Sequence, residues 1–341
     1  MIGRPGAGGN PAFSPAWWLP GPHFQTAWGR MARSRRQVAF VREILETPDG
    51  DELVLDHVEG PAGSSRLIAL HGLEGSSYSV YVQGFLAAAA RRGWRGTAVN
   101  FRSCARDPAR LSRMLPNRRP RLYHSGETSD LDFVVRTLAA REPRTPLYAV
   151  GASLGGNVLL KWLGENPDQR MVAAAAALST PYDLAAGSRR LETLMGGLYV
   201  RGFLSTLCPK AFAVAGRFPE AAARIDLGRV ARCRTFWDFD DVATGPLHGF
   251  AGAEDYYARS SSLNFLARIE TPTLCLSAED DPFLPLSVLP RARAAASPAV
   301  TFVTTRRGGH IGFVSGLAPW RPDYPAEEGA IRWLDSAARR Q

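Results

Sequence analysis

The sequence predicts an α/β fold: a mostly parallel, eight-stranded sheet flanked by helices, with an inserted helical lid. Three observations predict it. Between Leu70 and Leu178, strand-like and helix-like segments alternate, the order that builds parallel βαβ units. The alternation stops after Pro181 and resumes at Thr273. Between an apolar run and a helical pattern lies Gly151-Ala152-Ser153-Leu154-Gly155, a serine with glycine two places before and two after it.

The elements follow in order. Residues 1–37 are rich in Gly, Pro and Arg and carry Trp17, Trp18 and Trp28. They are expected to form a loosely structured arm whose aromatics pack on the main domain. Residues 38–45 and 53–58 are strand-like runs on either side of Pro48-Asp49-Gly50, a hairpin signal. Residues 66–70 form a more apolar strand ending at His71-Gly72. A helix is expected over 81–92, a strand over 96–100, and a helix over 129–141 with Leu131, Val134, Val135 and Leu138 on one face. A strand over 147–150 then runs through the glycine bend into a helix from Asn157, and 173–178 is a short apolar strand. Residues 182–270 hold helical stretches (184–203, 208–218), an acidic and aromatic run (Phe236 to Asp241), and no clear central strand. This is the lid. Strands at 273–277 and 300–304 and a helix over 326–338 complete a core made of residues 38–181 and 271–341.

Composition narrows the function classes. Hydrophobic residues make up 45% of the 341, ordinary for a soluble globular protein. The longest apolar stretch, 172–178, is too short for a membrane span, and the N-terminus has no apolar segment behind a charged start. The four cysteines are scattered, so neither a disulfide framework nor a zinc site is expected, and a reduced cytoplasmic compartment fits. The net charge is +9, which raises nucleic acid or anionic lipid as partners. Yet the positive charge is almost all arginine, spread along the chain, with lysine only at 161 and 210. No nucleic-acid reader motif is present, so no nucleic-acid partner is expected. A peripheral contact with anionic lipid stays open.

The chemistry centres on Ser153. A serine hydroxyl is a poor nucleophile without a base, a group that orients the base, and donors for the oxyanion. Glycines on both sides of a strand-to-helix bend allow a tight turn that exposes the serine oxygen. An acid and then a histidine are required downstream. Ala278-Glu279-Asp280-Asp281-Pro282-Phe283 follows one late strand, and Gly308-Gly309-His310 follows another. In a parallel sheet such loops converge at the carboxyl edge, where Ser153 also lies. Asp281 is the preferred acid because it directly precedes Pro282-Phe283; Asp280 remains the alternative. The oxyanion donors are expected to be the backbone N–H groups of Leu154, next to the serine, and Leu73, in the loop His71-Gly72-Leu73-Glu74-Gly75. His71 follows too early a strand to be the base and reads as a loop-packing residue. His23, His57, His124 and His248 form no metal-binding pair, and no phosphate-binding glycine loop is present. No cofactor and no metal are expected.

The chain resembles the YheT-like branch of the α/β-hydrolases, which also holds the eukaryotic alpha/beta-hydrolase-domain esterases and phospholipases. The matching pieces are Gly21-Pro22-His23-Phe24-Gln25-Thr26, His71 to Ser76, Asn100-Phe101-Arg102, Tyr123 to Thr128, Gly151 to Asn157, Asp280 to Phe283 and Gly308 to Phe313. The resemblance implies a serine-dependent carboxylic ester hydrolase with Ser153, Asp281 and His310 as its triad. Small-molecule esters or lipids, of short to medium acyl chain, are the expected substrates: the lid residues Phe203, Leu204, Phe212, Phe236, Trp237 and Phe239 offer apolar surface suited to acyl chains, the alternative being that they only pack the lid on the core. One departure stands out: Ser103-Cys104-Ala105-Arg106 replaces the Gly-Cys-Ser-Gly run usual after Asn-Phe-Arg. An acyltransferase sharing the acyl-enzyme, or a non-catalytic binding protein on the same fold, are the other classes the sequence admits.

Overall fold

The computed structural model describes residues 13–338; the glycine-rich first dozen residues of the arm lie outside them. Strands β1 (Val41–Glu46), β2 (Glu52–Val58), β3 (Arg66–Leu70), β4 (Arg95–Asn100), β5 (Leu147–Ala152), β6 (Val172–Leu178), β7 (Thr273–Ala278) and β8 (Val300–Thr305) form one sheet in the order β1-β2-β4-β3-β5-β6-β7-β8. β1 and β2 pair antiparallel, as do β2 and β4. Every later pairing is parallel. The exchange of β3 and β4 in the order brings β3 beside β5, with Leu70 opposite Gly151.

The central strands are buried on both faces, which explains their continuous apolar runs. Along β3, Ile68 and Leu70 pack with one cluster, while Leu67 and Ala69 pack with the other, as the two-residue period of a strand requires. The first cluster is covered by α3 (Ser129–Arg141), α4 (Leu154–Glu165) and α8 (Val288–Ala295), through Val134, Leu138, Trp162 and Leu289. The second is covered by α2 (Val80–Ala90) and α9 (Pro325–Ala338), through Phe85, Leu86, Ile331 and Leu334. No helix among the described residues is long and apolar enough to cross a membrane.

The arm is more ordered than its composition suggests. Pro22 opens an 11-residue helix, α1 (Pro22–Ala32), because its fixed φ and missing N–H suit the first helical position. Trp18 and Trp28 pack edge to face at 4.8 Å, whereas Trp17 lies 77% exposed and only its indole N–H is engaged, by the Leu317 carbonyl.

Helices fill the segment between β6 and β7, with a break elsewhere than expected. α5 (Leu184–Thr193) ends before Met195, Gly196 and Gly197, all at positive φ, and α6 (Leu198–Arg217) then runs through Pro209. The glycine pair stops the helix because it takes the left-handed conformation cheaply. Pro209 does not stop it: the buried face Val200, Leu204, Leu207, Ala211 and Val214 continues at helical spacing on both sides. α7 (Ala253–Ser260) closes the segment before the chain returns to the sheet. A two-stranded ribbon, β9 (Ser315–Ala318) and β10 (Arg321–Asp323), follows β8; its strands are too short and polar to be legible as such.

A buried ion cluster ties the hairpin to the first layer of helices. Arg102, just past β4, binds Asp130 of α3 through two nitrogens at 2.8 and 2.7 Å. It also binds Asp51 at 2.7 Å and Asp49 at 2.9 Å in the β1–β2 turn. Burial, joined by the nearby Glu127 carboxylate, pushes the Asp130 carboxyl up even beside the guanidinium. At the half-exposed Asp49, burial acts the same way, but hydrogen bonds from Thr47 and Arg102 outweigh it and hold that carboxyl well below the usual range.

Candidate active site

Ser153 stands at φ 53°, ψ −120° between β5 and α4, a conformation L residues reach only under strain. The flanking glycines make it attainable. A Cβ on Gly155 would lie 2.5 Å from the His71 carbonyl oxygen and 2.7 Å from that of Leu70, and one on Gly151 would collide with the Gly155 carbonyl. The bend therefore packs backbone to backbone against β3. It is anchored on the other side by the Ser153 N–H, which donates to the Leu178 carbonyl of β6 at 2.8 Å.

The loops after β7 and β8 come to the same edge. His310 Nε2 is 2.9 Å from Ser153 Oγ, and His310 Nδ1 is 2.9 and 3.1 Å from the two oxygens of Asp281. Both His310 and Asp281 are buried. The Asp281 carboxylate also accepts the Phe283 N–H at 2.9 Å, and the Phe283 ring stacks on the imidazole at 4.2 Å. Asp280 points elsewhere: its carboxylate accepts the Gly309 N–H at 2.9 Å and so shapes the histidine loop from outside. Burial pushes the Asp280 carboxyl up. Of the two adjacent acids, the structure brings Asp281 to the imidazole and Asp280 to the backbone.

Leu73 and Leu154 border the same cavity as Ser153. Among the described hydrogen bonds neither backbone N–H has a protein acceptor. The Leu73 loop is fixed from several directions. His71 Nε2 accepts the Phe101 N–H at 3.1 Å, so the proton sits on Nδ1, 2.7 Å from the Gly72 carbonyl. Burial keeps His71 neutral, its pKa pushed down to about 4. The Gly72 N–H donates to Tyr81 Oη and the Glu74 N–H to Tyr123 Oη.

The cavity holds about 840 Å³, within the range of small-molecule sites. Phe203, Phe236 and Phe239 of the inserted segment line it. Leu204 instead packs inside that segment, Trp237 packs on Tyr257, and Phe212 is exposed. The cavity wall also carries Asp240, on a single turn of π-helix, whose carboxyl burial pushes up to about 6 while Thr244 and Tyr257 donate to it at 2.6 Å each. Arg30 and Arg35 reach the cavity from the arm and are exposed, with no carboxylate partner among the described ion pairs.

Three supporting residues escaped motif reasoning. Thr26 Oγ1, on α1, accepts the His310 N–H at 2.9 Å. The Gln25 side-chain amide clasps the Val314 backbone, its NH2 donating to the Val314 carbonyl and its oxygen accepting the Val314 N–H. Ser179, just past β6, accepts the Ile311 N–H at 3.0 Å. Gln25 and Thr26 belong to the Gly21-to-Thr26 stretch, so a proline-started helix was the available signal; Ser179 carried none. Ser103, where the related pattern has glycine, takes φ 59°, and its hydroxyl is held by Asn117.

A family model described as the alpha/beta hydrolase fold matches residues 66–317. YheT of Escherichia coli (strain K12), provisionally named an esterase, is 38% identical over 299 residues, 86% of this chain and 84% of that protein. Phospholipase ABHD3 of Mus musculus is 30% identical over 322 residues, 92% of this chain and 75% of that one. Among solved structures, the Pyrococcus furiosus esterase Pf2001 superposes with a TM-score of 0.56 at 13% identity, over 88% of this chain and 89% of its own, a likeness of fold alone. With the family model spanning most of the sheet and a relative this similar along nearly all of both chains, the protein belongs to the α/β-hydrolase fold family and to its YheT-like branch.

Proposed function

We propose that the chain is a serine-dependent carboxylic ester hydrolase acting through an acyl-enzyme. The observation that carries this reading is the unbroken hydrogen-bonded path from Ser153 Oγ through His310 to Asp281, opening on a cavity bordered by two unpaired backbone N–H groups. Ser153 attacks the ester carbonyl while His310 Nε2 takes its proton. Asp281 holds the imidazole with Nδ1 protonated and stabilises its cationic form. The N–H groups of Leu73 and Leu154 receive the oxyanion. His310 then protonates the leaving alcohol, and water, activated by the same imidazole, clears the acyl group.

Short- to medium-chain acyl esters or lipid esters fit the site best. The phenylalanines of the inserted segment, acting as a lid, offer an apolar wall for an acyl chain, and Arg30 and Arg35 at the mouth suit an anionic headgroup. A fluorophosphonate probe is expected to label the wild type and not Ser153→Ala. A p-nitrophenyl ester series from acetate to laurate then reads the pocket, and an anionic against a neutral ester reads the mouth arginines through their salt dependence. A folded wild-type protein that takes no label would overturn the reading.

Activity is expected to fall on the acid side, because a protonated imidazole cannot accept the serine proton. His124 and His248, which border the cavity, and His71, in the loop before Leu73, are held neutral by burial: it pushes His71 and His124 down to about 4 and His248 well below its ordinary value. A pH profile of kcat/KM checks the fall on the acid side. Activity undiminished into strongly acidic solution would count against a histidine base.

A further inference from the structure

The chain has 41 basic side chains, and two of them are lysines. One, Lys210, is buried on α6 and reaches across the cavity to Glu74 at 2.6 Å, a contact spanning 136 residues of sequence. Each side chain of the pair is 8% exposed. Glu74 directly follows Leu73 and stands at φ 57°, in the left-handed region where a non-glycine residue must be held by its surroundings. Tyr123 braces it at both ends: its hydroxyl accepts the Glu74 N–H at 2.7 Å and donates to the same carboxylate oxygen that Lys210 binds, at 2.8 Å. The second carboxylate oxygen is buried with no hydrogen-bond partner. Lys210 Nζ also lies 3.5 Å from Cys104 Sγ and 5.2 Å from the Tyr123 ring centre. That narrow space suits a compact ammonium better than a planar guanidinium.

The geometry points to Lys210 as a positioning residue for the Leu73 N–H, acting through Glu74, an inference that rests on the ester-hydrolase reading above. The chain of contacts is short. The ammonium fixes the carboxylate, the carboxylate and Tyr123 fix the strained Glu74 backbone, and that backbone sets where the preceding Leu73 N–H points. The inserted segment thereby does more than cover the cavity: it supplies the cation that holds one oxyanion donor in place. Without Lys210 the buried carboxylate lacks its cation and is driven toward water, turning the loop with it. An ångström of misplacement at a reacting group costs up to about 100-fold in rate.

The test compares wild type, Lys210→Met, Glu74→Gln and the double variant, using a p-nitrophenyl ester and a trifluoromethyl ketone whose serine adduct carries an oxyanion. Lys210→Met is expected to lower kcat by about 10- to 100-fold, leave KM within about twofold, and weaken the ketone by the same factor as kcat. The double variant, which has no orphaned charge and keeps the tyrosine bonds, is expected to be more active than Lys210→Met. If Lys210→Met does not fold, Glu74→Gln supplies the same kcat-against-KM readout. Unchanged kcat, an effect confined to KM, or a double variant as impaired as the product of the singles would overturn the inference. A wild type that resists fluorophosphonate labelling would instead overturn the ester-hydrolase reading itself.

Discussion

Ser153→Ala is expected to lower kcat by about 10⁴- to 10⁶-fold while leaving KM for a short ester nearly unchanged. The size follows from what is removed. In the proposed mechanism the hydroxyl is the group that bonds to the acyl carbon, and no neighbouring side chain stands in for it: His310 Nε2 is its hydrogen-bond partner, not a second nucleophile. Alanine adds no atom to a bend already tight against β3, so the loss is chemical and not one of folding. The adjacent acids give a sharper comparison. Asp281→Asn removes the acceptor that fixes the Nδ1 proton of His310 and is expected to cost about 10⁴-fold in kcat. Asp280→Asn keeps an oxygen able to accept the Gly309 N–H, so its loss stays within the worth of one hydrogen bond, roughly tenfold at most. Steady-state kinetics on the three variants check this; equal losses at 280 and 281 would reject the assignment of Asp281.

Arg102→Met has the largest expected effect on stability. The guanidinium is 2% exposed and faces Asp130 and Asp51, themselves 4% and 0% exposed, besides the half-exposed Asp49. Removing it leaves two buried carboxylates without their cation, which costs about 3–5 kcal/mol. A lowered denaturation midpoint measures it. Adding Asp130→Asn to Arg102→Met is expected to recover part of the loss, since the charge stranded in the interior is then gone. A midpoint unchanged by Arg102→Met would mean that the cluster is solvated in a way its burial does not suggest.

These variants separate features of very different legibility. β3, β5 and β7 are apolar runs that a two-sided burial demands, and their boundaries in the structure lie within a residue or two of those expected. The serine bend was legible because the backbone contact between Gly155 and His71 admits no side chain, so the need for glycine is written into the sequence. α1 was obscured by the glycine, proline and arginine around it. The single helix through Pro209 was obscured because a proline is a local signal, and here the local signal yields to a long buried face.

By itself the sequence determined the chain order of the eight strands of the main sheet, the strand-to-helix turn at Ser153, and the presence of an acid and a histidine after late strands. These depend on periodicity and on the steric needs of neighbouring residues, which are local. Only the tertiary structure sets which of Asp280 and Asp281 lies against His310, because both follow β7 and differ only in the direction each side chain takes once the chain turns. It alone joined Thr26 and Ser179 to the histidine loop, and Lys210 to Glu74. Such contacts join residues 132 to 284 positions apart, and no periodicity or motif spacing constrains them until the sheet has set its strands side by side.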